Sequence, residues 1–98
     1  MYVYIKVYEV KGEVMVACCD EDTLGKSFSE GELFLKVSEE FYFGEKLPIK
    51  KVSFYLKRAT ILNLVGKNVI SEAIKLGLVD EKKILKVGKT QHAQMVTL

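Results

Sequence analysis

The sequence predicts a single α+β domain over residues 1–98, with a mostly antiparallel sheet and two packed helices. Three observations lead there. Ninety-eight residues with 49% hydrophobic and 29% charged side chains are one ordinary globular domain. Strand-like segments come in blocks instead of alternating with helices, which favours α+β over a doubly wound parallel sheet. After Pro48, the residues Val52, Leu56, Ala59, Leu62 and Val65 recur at spacings of three and four, the stripe of a buried helical face.

The elements follow in order. Tyr2–Val10 and Glu13–Cys19 are β-rich and separated by Lys11-Gly12, which reads as a hairpin well inside the sheet. Asp20–Gly31 is polar and glycine-punctuated, with room for one short turn in which Leu24 and Phe28 face the core. Glu32–Ser38 returns to strand character, and Phe41-Tyr42-Phe43 sits in an aromatic loop closed by Gly44. Those rings can close the core or stack on unpaired bases. Pro48 suits a first helical turn, so a helix is expected over Ile49–Val65, stopped by Gly66. Asn68 is the expected cap of a second helix, Val69–Leu76, ended by Gly77. Ile84–Val87 and Gln94–Thr97 are short strands around a Gly88–Thr90 turn.

Several classes of function fall away. No uncharged stretch, Ala59–Gly66 included, comes near the ~20 residues that span a bilayer. No secretory signal follows Met1, so a cytosolic protein with no membrane partner is expected. Cys18 and Cys19 are adjacent and point to opposite faces of a strand, and only His92 could join them as a soft ligand. No metal and no cofactor is therefore expected, and the thiols should be reduced. Leu24-Gly25-Lys26-Ser27 lacks the upstream glycine of a phosphate loop, and no nucleophile motif is present.

Charge is unevenly spread. Residues 1–45 hold four bases against ten acids, a net −6, whereas residues 46–98 hold eleven against three, a net +8. On the predicted first helix Lys50 and Lys57, and likewise Lys51 and Arg58, stand seven apart and form a basic band; Lys82, Lys83, Lys86 and Lys89 make a second cluster. Such a footprint suits RNA or a ribonucleoprotein, a protein partner, or simply solvent. One arginine among fifteen bases leaves few fork-shaped phosphate contacts.

Two further constellations are candidate sites. His92 and Gln94 share one face of a strand and present an imidazole and an amide. Lys26 is the lone base between Asp20 and Glu32, either paired with an acid or held out for an anionic group. The glycines of Asp20–Gly44 permit close approach of a ligand, so this segment is expected to hold whatever site exists.

Taken together, Leu24-Gly25-Lys26-Ser27-Phe28, Glu30-Gly31-Glu32-Leu33, Val37-Ser38-Glu39-Glu40-Phe41-Tyr42, Ala59–Gly66, Ala73–Val79 and His92-Ala93-Gln94 resemble an archaeal family known as the domain-of-unknown-function family numbered 424. Where that family often has a proline before His-Ala-Gln, this chain has Gln91. The resemblance implies a small archaeal cytosolic protein with no assigned reaction, and it carries no catalytic residue over. The expected function is thus a non-enzymatic binding or adaptor domain, with RNA or a ribonucleoprotein as the partner that the bases imply. The competing class is a small-molecule site or minor enzyme around His92.

Overall fold

The structure, a computed structural model, describes residues 1–97. β1 (Tyr2–Val10) and β2 (Glu13–Asp20) form the expected hairpin, and Lys11 and Gly12 take φ of 50° and 83°, the left-handed pair of a two-residue turn. A 3-10 turn at Glu21–Thr23 leads to a second hairpin, β3 (Ser27–Glu30) and β4 (Leu33–Lys36). α1 (Glu39–Tyr42) is a single turn, and β5 (Glu45–Pro48) then pairs with β1. A 3-10 turn at Ile49–Lys51 and α2 (Ser53–Leu56) precede β6 (Ile61–Val65), α3 (Lys67–Lys75), β7 (Leu85–Val87) and β8 (Thr90–Val96).

The main sheet runs β5-β1-β2-β6-β8-β7, antiparallel throughout except for the central parallel pair β2 and β6. Strand alternation splits the apolar residues between two faces. Val3, Ile5, Val16, Cys18, Leu62 and Leu64 face α2 and α3, which bury Val52, Leu56, Val69, Ile70 and Ala73 against them. Ala17, Cys19 and Val65 face the other way, under Val37 and Tyr42, with Phe28 and Leu35 of the small hairpin packed alongside. Cys18 and Cys19 do lie on opposite faces, both buried and free. Burial pushes the Cys18 thiol well up, and Cys19 to about 11, leaving neither a ready nucleophile.

One expected element is replaced. The helix over Ile49–Val65 stops after a 3-10 turn and one α turn, and its second half is a strand. Thr60 makes the handover: its N–H donates to the Val14 carbonyl at 2.8 Å, and its hydroxyl accepts from the Val14 N–H at 2.9 Å. Ile61-Leu62-Asn63-Leu64-Val65 is then a five-residue run with Leu62 and Leu64 buried on one face and Val65 on the other, which a central strand satisfies as well as a helix would. Two further strands, β3 within the polar segment and β5 ending at Pro48, are also present. The last strand begins at Thr90, four residues before the expected Gln94.

The second helix stands where expected, but its cap differs. Asn68 lies inside α3, and the cap comes from Asp20 at the end of β2. One carboxylate oxygen accepts the Asn68 N–H and the other the Val69 N–H, each at 2.9 Å. Gly66, at φ 116°, makes the approach possible, because a Cβ there would collide with the Asp20 carboxylate.

Gly66→Ala is therefore expected to destabilise the fold by more than about 2 kcal/mol in urea denaturation. Asp20→Ala should cost about 0.5–2 kcal/mol through loss of the cap. The double variant should lose less than the sum, since Asp20→Ala removes what the new methyl strikes.

Candidate functional site

The parallel pair determines where a site can open. β2 and β6 end side by side, Cys19 opposite Val65, so Asp20 and Gly66 are neighbours. From there the chain departs in opposite directions: after β2 it passes to the face of the small hairpin, and after β6 to the face of α3. Divergence of that kind leaves a crevice beyond the carboxyl ends of the strands, the usual ligand position in open sheets with parallel strands.

A cavity of about 330 Å³ occupies it. Asp20, Asp22 and Thr23 line it from the turn after β2, Gly66, Lys67 and Asn68 from the start of α3. Lys26 and Phe28 enter from the small hairpin, and Lys89 and Thr90 from the β7–β8 turn. A second cleft, about 440 Å³, shares Lys67, Lys89 and Thr90 and adds Lys86.

Backbone bonds hold these walls. The Thr23 hydroxyl donates to the Asp20 carbonyl at 2.8 Å, the Gly25 N–H to the Val37 carbonyl at 2.8 Å, and the Val37 N–H to the Lys26 carbonyl at 2.9 Å. The Lys26 backbone is thus clamped while its side chain stays exposed. Across the cleft, the Gly88 N–H donates to a Glu30 carboxylate oxygen at 3.1 Å, docking the β7–β8 turn on the small hairpin. Asp20 is 4% exposed, and burial raises its pKa while the two N–H bonds from α3 pull it back down. Thr90, 3% exposed, lines the cavity from the β7–β8 turn.

Among the described residues the ion pairs are Lys46–Glu21 and Lys75–Glu72. Lys26 is in neither pair, and its exposed side chain lines the cavity. Lys50, Lys51, Lys57 and Arg58 are all exposed on the short helical stretch around α2, away from the cleft linings. The Arg58 guanidinium lies 3.6 Å from the Phe54 ring centroid and donates to the Phe54 carbonyl at 2.7 Å, so part of that band is committed within the chain. Tyr42 of the aromatic loop is buried, Phe41 stacks on Tyr8 with centroids 5.5 Å apart, and Phe43, 54% exposed, packs against Tyr4 with centroids 5.5 Å apart.

His92 and Gln94 do share a face, opposite Val65 and Asn63. The Gln94 amide donates to the Asn63 side-chain oxygen at 2.9 Å, which occupies one of its groups. Gln94 borders a separate groove on the β8 side. His92 is half-buried beside Leu85 and lines neither cleft. Burial alone lowers its pKa, with no carboxylate contributing. Lys67, Thr90 and the capping role of Asp20 escaped the sequence, because they converge only when β2 and β6 pair. The second basic cluster did contain Lys86 and Lys89.

Residues 8–98 match the family model described as "Protein of unknown function (DUF424)". The chain belongs to the DUF424 family. A solved structure, an uncharacterized conserved protein from Methanopyrus kandleri, is similar over 97% of this chain and 90% of that one, at 27% identity and a TM-score of 0.77. No curated protein matches this DUF424 chain. None of its described helices is long and apolar enough to cross a membrane.

The histidine offers a pH test. Its folded-state pKa lies below the ordinary value near 6.5, so folding favours the neutral ring. That contribution is fully present above about pH 6.5 and is lost as pH falls through the folded pKa. The raised Asp20 pKa works in the opposite sense at lower pH, so the informative quantity is a difference. Between pH 7 and 5 the stability of wild type relative to His92→Gln should fall, as read by urea midpoints.

Proposed function

We propose that this domain is a non-catalytic binding module whose lysine-lined clefts engage the phosphates of RNA. The observation that carries this reading is the convergence of Lys26, Lys67, Lys86 and Lys89 from three separate segments onto two adjoining clefts, none of them in an ion pair with a described residue. A merely solvated face needs no such convergence. Lysine acts here as a point charge and not as a bidentate fork, so affinity should come from the backbone with little base preference. The RNA contact first suggested by the band around α2 thereby moves to the opposite ends of β2 and β6. The His92 alternative has less support, because its imidazole has neither a charged partner nor a cleft.

Titration of a fluorescent single-stranded RNA at about 50 and 200 mM salt tests the proposal. With three or four phosphates neutralised, the log–log salt slope should lie near −2 to −3. Lys26→Glu with Lys89→Glu should weaken binding about tenfold or more and flatten that slope, whereas Lys50→Glu with Lys57→Glu should change it little. Millimolar, salt-insensitive binding overturns the proposal, and so does equal loss from both pairs.

A further inference from the structure

A surface that only tracked phosphates would not need carboxylates among its lysines. The cavity that reaches Asp20 has both, with Asp22 exposed at its edge and Asp20 at its floor. Ionised carboxylates only accept hydrogen bonds, so a ligand seated there must bring donors close to its own negative charge. Each Asp20 oxygen spends one acceptor position on α3 and has another left. Thr90, only 3% exposed as a residue, brings a hydroxyl able to donate or accept to the cavity lining. Phe28 adds an aromatic wall, and the volume of about 330 Å³ falls at the lower end of small-molecule sites, which run to roughly 300–1,000 Å³.

We infer that this cavity takes a terminal ribonucleoside carrying a 5′-phosphate: the vicinal 2′,3′-diol donates to Asp22 and Asp20 with Thr90 beside it, the base lies against Phe28, and the phosphate meets Lys26, Lys67 and Lys89. A carboxylate beyond the end of a parallel strand is a fitting acceptor for ribose hydroxyls. The inference rests on the phosphate reading above and narrows it from any RNA segment to an end. Inside an RNA chain the 3′-oxygen is esterified, so the intact diol exists only at a 3′ terminus or on a free nucleotide.

The test uses the full chain and one 5′-labelled oligoribonucleotide in three forms: free 3′ diol, 3′-phosphate, and a 2′,3′-dideoxy terminal nucleoside. Adenosine 5′-monophosphate serves as the free-nucleotide arm. By anisotropy the diol form should bind about tenfold tighter than the other two, a loss expected when hydrogen bonds to charged groups go unmade. Asp22→Asn and Thr90→Val should erase that preference while leaving the salt dependence. Thr90→Ser, which keeps the hydroxyl, should restore it, and thermal melts of each variant separate lost recognition from lost folding. Equal, salt-sensitive binding of all three ends overturns this inference and leaves the RNA reading standing. Binding of the monophosphate with no RNA binding supports the cavity ligand and overturns the RNA reading. Binding of neither overturns both.

Discussion

Asp20 joins the two halves of this domain. Its carboxylate ends β2 and at the same time satisfies two of the N–H groups that α3 leaves open at its start. A helix of nine residues is marginal in isolation, so packing and capping must hold it. Placing a carboxylate at the positive end of the helix supplies hydrogen bonds and dipole compensation together. The same contact requires Gly66 to have no side chain and keeps the ends of β2 and β6 in step. It also settles the polarity of the cleft. Because the helix terminus is already occupied by an acid, the positive field there comes from lysine side chains and not from the backbone.

The cleft follows from topology more than from any motif. Two parallel neighbours whose chains leave toward opposite faces leave space between those departures, and here the small hairpin and the β7–β8 turn wall it in. The linkage of Gly88 to Glu30 brings Lys89 over from a distant part of the sequence. The acidic and basic halves of the chain meet at this place, which explains why both signs of charge line it.

Much of the architecture was legible. Alternation, the Lys11-Gly12 turn and the glycine after Leu76 located the first hairpin and the second helix, since each is set by local chemistry. The family resemblance, carried by phrases spread along the chain, also held. The run at 61–65 was not legible, because a five-residue apolar segment fits helical and strand spacing equally and only its neighbours β2 and β8 decide. Of the site, Lys26 stood out by its isolation among acids, and its segment does border the cleft. The roles of Asp20, Lys67 and Thr90 did not, since a cap supplied from 48 residues away leaves no local signature.

The replacement of a long helix by a central strand has a consequence for how the chain folds. β1 and β2 pair across two residues and can zip at once, but β6 must find β2 after some forty intervening residues and then receive β8 on its other side. Closing that loop costs entropy before any contact repays it. Until β6 inserts, β5-β1-β2 and β8-β7 are two partial sheets with unpaired inner edges. The strand is thus the keystone of assembly, and its delayed arrival is the stage at which those open edges are exposed to other chains.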